Sequence, residues 1–424
     1  MAILTSPVDH PTARSRRATL VTSWLAHPQA SFYLVLAPMV LLLSLGMMMV
    51  LSASSVFGQV RFGDAFYFVK RQVFFLAVGG AAAYVLAKLD PRKLKILGWL
   101  LICAALVLQL LTFTPLGWGE SKGNTNWVQF GSFFRIQPSE FAKLAIVVWG
   151  ADILARKQKL IDRPKHLLIP FVPVSLVLIA LVVLQHDLGT GMIMGAIVVS
   201  ILWFVGASWK MLAWIGVSVG VGVLGLVLTS MNRMDRILGF LNPDHDTMGV
   251  NLQPLRGVFA LASGGWWGLG LGASRQKWGS LAEAHTDYVL AIIGEELGLV
   301  GTLTVLALLL LLGYAGFRIA LRSDQVFCRN LAAGITVWFM IQALVNVMVV
   351  LRMIPVLGAP LPQPCDRGLQ HPRGQPHPAR VGGTHEAHGR VGEQHRDAVG
   401  HAHRQAEAAR GGHQRVPGGV RRPT

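Results

Sequence analysis

Asp287-Tyr288-Val289-Leu290-Ala291-Ile292-Ile293-Gly294-Glu295-Glu296-Leu297-Gly298 opens an apolar run that continues to residue 316, and beyond Asp287 its only acidic or basic side chains are Glu295 and Glu296. Hydrocarbon about 30 Å thick takes roughly 20 helical residues to cross, so a run of this length reads as a membrane helix. Two adjacent carboxylates about two turns inside it have no simple route to water. They are expected to face the bundle interior, either bonded to polar neighbours or lining a cavity.

Working outward, eight more runs have the same character: residues 33–54, 72–88, 95–115, 139–155, 167–184, 188–206, 211–230 and 331–351. The fold class is therefore an all-α, polytopic membrane helix bundle of nine helices, with 288–316 as the eighth. The first run begins after a mostly polar segment and exceeds the length of a signal-peptide core, so it reads as an uncleaved anchor. Basic residues orient the bundle. Arg14, Arg16 and Arg17, then Lys88, Arg92, Lys93 and Lys95, then Arg156, Lys157, Lys159, Arg163 and Lys165, and finally Arg318, Arg322 and Arg329 fall in alternate loops, which read as cytoplasmic. Arg61, Lys70 and Arg71 dissent. The majority puts the N-terminus inside and the long segment 231–287 outside.

Composition agrees. Of 424 residues 53% are hydrophobic and 14% charged, whereas soluble domains carry about 25% charged residues. The net charge of +17 would suit nucleic acid only if the basic groups shared one aromatic-lined face, and here they separate apolar runs. Nucleic-acid binding is excluded on that ground. Cys103, Cys328 and Cys365 are too scattered for a disulfide framework or a zinc site.

Three organisational segments follow: a cytoplasmic stretch 1–32, the membrane domain 33–362, and a tail 363–424. The tail holds ten Arg, no Lys and eight of the fourteen His, with no helical or strand period, so it is expected to be disordered. Its composition is what GC-rich DNA yields out of frame, and the segment reads as a shifted frame beginning near codon 363. Its histidines lack ligand spacing, so no metal is assigned there.

Several polar groups stand where they are costly. In Gln137-Pro138-Ser139-Glu140-Phe141-Ala142-Lys143, Glu140 and Lys143 share a helix face at i,i+3, either as a self-neutralising pair or as substrate contacts. Asp152 and Arg156 form an i,i+4 pair of structural character. Asp187, in the tight turn before Leu188, is placed to cap the next helix. Leu252, Leu255, Val258, Phe259 and Ala262 recur at helical spacing and predict a short amphipathic helix in the membrane interface. The glycines of Gly264-Gly265-Trp266-Trp267-Gly268-Leu269-Gly270-Leu271-Gly272 follow no strand and precede no Lys-Ser/Thr, so a nucleotide loop is not indicated. Paired tryptophans there fit an interfacial turn. Arg275 and Lys277 add positive charge suited to a pyrophosphate. Asp287, after His285 and at the start of the eighth helix, is either a helix cap or a general base at the water–lipid boundary.

These blocks resemble the SEDS family of bacterial membrane proteins. The resemblance covers residues 33–362 and rests on Val50-Leu51-Ser52-Ala53-Ser54, Ile136 through Lys143, Asp187-Leu188-Gly189-Thr190, Ala260 through Gly298, and Pro360-Leu361-Pro362. It implies a peptidoglycan glycosyltransferase that polymerises lipid II on the outer face of the cytoplasmic membrane. By that analogy Asp287 would serve the acceptor hydroxyl; Arg275 and Lys277 are candidates, from their charge, for the pyrophosphate, and Lys143, Glu140, Glu296 and His285 are candidates to line the substrate site. No resident metal is implied, and a divalent cation is left open as a cofactor. The wording around Gly264–Gly268 is similar to the division branch, which implies a septal location and, as partners, a class B penicillin-binding protein, other division proteins and membrane lipids. Three departures stand: Asn124-Thr125-Asn126-Trp127, Ala282 where a proline is common, and no tenth helix after Pro362. An elongation-type polymerase, a lipid II flippase, a noncatalytic scaffold and an inactive truncated member are the alternatives.

Overall fold

The computed structural model describes residues 29–119, 125–131, 134–160, 168–229, 231–242, 252–277 and 287–355. The tail 363–424, His285, Ala282 and the basic residues Arg14, Arg16, Arg17, Arg163 and Lys165 lie outside them. By internal contacts the chain divides into two units, Met1–Pro364 and Cys365–Thr424.

Eleven α-helices run through the described residues: α1 (Ala30–Phe62), α2 (Tyr67–Ala87), α3 (Pro91–Leu111), α4 (Pro138–Arg156), α5 (Phe171–Leu184), α6 (Leu188–Val205), α7 (Trp209–Leu228), α8 (Met231–Leu241), α9 (Leu252–Ser263), α10 (Val289–Arg322) and α11 (Val326–Val350). Each of the nine predicted runs falls on a helix. Seven of those helices (α1, α2, α3, α6, α7, α10 and α11) are long and apolar enough to cross a bilayer. The other two differ for identifiable reasons. α5 has 14 residues, about 21 Å at 1.5 Å per residue, and α4 carries Glu140, Lys143, Asp152 and Arg156 along its 19 residues.

Local chemistry sets the helix ends. Pro91 and Pro138 occupy first-turn positions, where a missing N–H costs nothing. Asp90 accepts the Arg92 N–H at 2.8 Å and starts α3. Gly63 and Gly206 close α1 and α6 in the left-handed conformation. Asp64, in the loop after α1, pairs with Lys70 of α2 at 2.8 Å.

Around α4 the bundle has its first core. That helix buries Ala142 through Leu154 almost without interruption and packs against α3, α5, α6 and α11. Ile102, Trp149, Phe171, Leu178, Met194, Ile197 and Ile201 fill the space between. A second core joins α1, α9 and α10 through Met49, Ala53, Ala260, Tyr288, Ala291 and Ile292. α2 buries none of its residues, and α7 buries Leu212 and Val227. Apolar helices so exposed would aggregate in water, whereas in lipid they need no protein cover.

Two elements were not anticipated. A three-stranded antiparallel sheet, β1 (Gly117–Trp118), β2 (Trp127–Phe130) and β3 (Phe134–Ile136), pairs Gly117 with Val128 and Val128 with Ile136. Arg135 lies over the Trp118 ring at 3.8 Å and helps hold it. The strands are too short to leave an alternating pattern in the sequence. α8 falls in the long segment 231–287 and is too polar overall to register as a span, although Met231, Met234, Ile237, Leu238 and Leu241 recur at helical spacing.

Candidate active site

Gly298 organises the site. It sits inside α10 with φ 69° and ψ −165°, far from helical values, a conformation that glycine alone adopts without strain. The break removes two helical hydrogen bonds and opens four backbone groups to a partner. That partner is the glycine-rich loop. Leu269 N–H donates to the Glu295 carbonyl at 2.9 Å and Gly270 N–H to the Glu296 carbonyl at 3.0 Å. In return Leu299 N–H donates to the Gly265 carbonyl at 2.9 Å and Val300 N–H to the Trp266 carbonyl at 3.3 Å. The loop is thereby spliced into the helix, and backbone groups that hydrocarbon would leave unsatisfied find partners in each other.

Such an approach leaves no room for side chains. A Cβ on Gly268 would stand 2.2 Å from the Glu296 carbonyl oxygen, and one on Gly264 would stand 1.8 Å from that of Gly294. Close backbone contact therefore explains the glycines that superficially suggested a phosphate loop. Trp266 and Trp267 are exposed at the turn, as an interfacial turn requires. Beside it α9 forms where periodicity predicts, but rather than lying free in the interface it packs on α10 and α11, with Gly257 against the Tyr288 ring.

Glu295 and Glu296, each 1% exposed, take the first of the two alternatives: they are bonded to polar neighbours. Glu295 accepts from the Ser274 hydroxyl at 2.5 Å and the Arg275 N–H at 2.9 Å. Glu296 accepts from the Ser52 hydroxyl at 2.7 Å, the Lys277 ammonium at 3.2 Å and the Ser274 N–H at 3.3 Å. Lys277 is itself buried. Its ammonium also reaches the Gly272 carbonyl at 2.6 Å and the Ser52 oxygen at 3.2 Å. A lysine has three donors, and all three find protein acceptors here. Arg275 differs: its backbone is held by Glu295, while the residue is exposed.

Asp287 is exposed immediately before Tyr288, the N-cap of α10. The positive end of a helix favours an anion at this position. Tyr288 is buried beneath it.

A second polar group joins α4 to α11. The Lys143 ammonium, almost fully buried, donates to Glu140 at 2.7 Å and to the Gln342 side-chain carbonyl at 3.1 Å. It also stands 5.7 Å from the centre of the Trp338 ring, and Trp338 donates to the same Gln342 oxygen at 2.9 Å. Glu140 keeps 41% of its side chain exposed. No hydrogen bond or ion pair links this group to the Glu295–Glu296 network among the described residues. Asp187 caps α6 as expected, accepting from Thr190 N–H at 3.0 Å, and it also receives Asn126 from the strand region at 3.1 Å. Asp152 and Arg156 pair at 2.8 Å. Among the described residues no group of three or more His, Cys, Asp or Glu could hold a metal.

Sequence reasoning missed Ser52, Ser274 and Gln342. No local spacing connects Ser52 to Glu296, 244 positions away.

Apolar spans, buried charges tied to one another and a loop grafted onto a broken helix define an integral membrane protein with a polar site at the start of α10. Residues 32–363 match the sequence model of the cell cycle protein family that groups FtsW, RodA and SpoVE. The chain belongs to this family, also called SEDS. It is 38% identical over 348 residues to "Probable peptidoglycan glycosyltransferase FtsW" of Mycobacterium tuberculosis, a match covering 82% of this chain and 66% of that protein. It is 35% identical over 322 residues to stage V sporulation protein E of Bacillus subtilis, covering 76% and 88% respectively. A solved chain from work on the structural coordination of polymerization and crosslinking by a peptidoglycan synthase complex superposes with a TM-score of 0.61 at 25% identity, covering 80% of this chain and 92% of that one.

Proposed function

We propose that the protein is a peptidoglycan glycosyltransferase that extends glycan strands from lipid II, with Asp287 as the base. The observation that carries this reading is the exposure of Asp287 at the mouth of α10, just ahead of the helix whose Glu295 fixes the backbone of Arg275. The names of the relatives supply the reaction class. In the proposed step, a sugar hydroxyl of the acceptor lipid II gives its proton to Asp287 as its oxygen attacks the anomeric carbon of the donor chain. The anomeric carbon–oxygen bond to pyrophosphate breaks, and undecaprenyl pyrophosphate leaves as the anion. Arg275 is positioned to stabilise that developing charge. Glu140, the exposed partner of buried Lys143, is the best candidate on α4 for a polar contact to substrate. Glu296, with its acceptors occupied inside the protein, supports the site rather than lining it.

The buried carboxylates Glu295 and Glu296 are closed by protein donors, which favours a fixed catalytic frame over a wet pathway for a travelling head group. Cell division at the septum, an N-terminus inside, the segment organisation 1–32, 33–362 and 363–424, and partnership with a class B penicillin-binding protein complete the proposal. Its test is purified protein given labelled lipid II in detergent, with and without that partner. Glycan chains that disappear in Asp287→Asn are expected. Transbilayer movement of lipid II without polymer would replace this reading with the transporter.

A further inference from the structure

We infer that Ser52, Glu296 and Lys277 form a clasp that positions the loop and the start of α10 for catalysis, and that Lys277 acts through this clasp rather than as a pyrophosphate contact. The inference rests on the proposed reaction. Its geometry is directional. The Lys277 ammonium donates to the Ser52 oxygen at 3.2 Å, and the Ser52 hydroxyl donates onward to the Glu296 carboxylate at 2.7 Å. Lys277 also meets Glu296 directly at 3.2 Å. Ser52 is thus acceptor and donor at once, a role that threonine retains and alanine loses. With its third donor on the Gly272 carbonyl at 2.6 Å, Lys277 has no hydrogen left for a ligand.

The three residues come from α1, α10 and the loop. Each bond ties two of these elements, and the backbone splice at Gly298 repeats the tie between loop and helix. Within one four-residue stretch the buried side chains of Ser274 and Lys277 turn into the protein, while Arg275 is exposed. Glu295 holds both Ser274 and Arg275. Asp287 stands eight residues before Glu295 on nearly the same helix, roughly 12 Å along the axis at 1.5 Å per residue. Loosening the clasp would therefore shift Arg275 and Asp287 relative to each other. Small misplacements of reacting groups cost up to about 100-fold in rate.

The experiment uses the full chain in detergent with lipid II as substrate, reading kcat, KM and amide hydrogen exchange. Ser52→Ala and Lys277→Met should speed exchange at Leu269, Gly270, Leu299 and Val300. Both should lower kcat about 10- to 100-fold while KM stays within about 3-fold. Ser52→Thr should restore both readouts. The double variant Glu296→Gln/Lys277→Met should recover kcat over either single change, because no buried charge is left unpaired. A raised KM in Lys277→Met, with exchange unchanged and no recovery in the double variant, would show Lys277 to be a head-group contact and overturn the inference. Faster exchange with kcat unchanged would reduce the clasp to a purely structural tie and overturn it equally. If wild type and Asp287→Asn polymerise alike, the proposed reaction fails, and the exchange data still judge the clasp on their own.

Discussion

The Glu140–Lys143 pair on α4 and the Glu296–Lys277 pair beneath the glycine loop use the same two side-chain types at comparable distances, 2.7 and 3.2 Å. Their surroundings separate them. In the first, the lysine is enclosed but its carboxylate keeps 41% of its side chain exposed. In the second, both partners are enclosed, and the Ser52 hydroxyl and the Ser274 N–H also donate to the carboxylate. An ion pair with one wet end can rehydrate when broken and can exchange protein for substrate. One sealed on both sides can do neither, so its contribution is shape.

The largest expected consequence concerns the helix break that seals the second pair. Gly298→Ala combines a left-handed strain with a Cβ 2.4 Å from the Gly268 nitrogen, so it should cost about 4 kcal/mol or more and reduce folded yield in detergent. Normal thermal stability in that variant would break the comparison, since the loop would not depend on the splice. Next comes the contrast between the lysines. Lys277→Met leaves Glu296 buried without its cation and should destabilise by about 3–5 kcal/mol. Lys143→Met frees a partly exposed Glu140 and should cost about 1–2 kcal/mol, seen as a smaller drop in Tm. Equal losses would show that enclosure does not separate the two pairs.

Asp187→Ala removes the α6 cap and its bond to Asn126, and should cost about 1–2 kcal/mol. The smallest effect belongs to Asp64, outside the spans. Its hydrogen bond from Lys70, followed by that from Phe66 N–H, holds its carboxyl below the usual range. A lowered folded value means that the contribution is present above the unfolded value and fades as pH falls through the folded one. The turn after α1 should therefore be unchanged at neutral pH and loosen only in acid, which a carboxyl NMR titration would follow.

What the sequence revealed and what it concealed divide along the range of the interactions. The apolar runs, the i,i+3 pair Glu140–Lys143, the i,i+4 pair Asp152–Arg156 and the Asp187 cap are set by neighbours within one or two turns. All could be read from spacing. The interior placement of Glu295 and Glu296 also followed, from the cost of charge in hydrocarbon. Their partners, and the distant partner of Lys143, did not. Ser52 and Gln342 lie 244 and 199 positions from the groups they bind, and no local period connects them. Lys277 was read from its charge as a ligand for pyrophosphate, because sequence shows that a residue is cationic but not which way its side chain turns. One signal was present in retrospect: Gly298 interrupts an apolar helix just after two carboxylates, opposite a loop with glycines at 264, 265, 268, 270 and 272.

We propose that Asp287, exposed at the mouth of a sealed polar frame, is the base for sugar transfer. Polymerisation of labelled lipid II by purified wild type and Asp287→Asn, each with intact folding verified by Tm, tests it most directly. The account predicts glycan strands from the wild type and a rate at least about 10²- to 10⁴-fold lower in the variant. Strands made at equal rates by both proteins would contradict it.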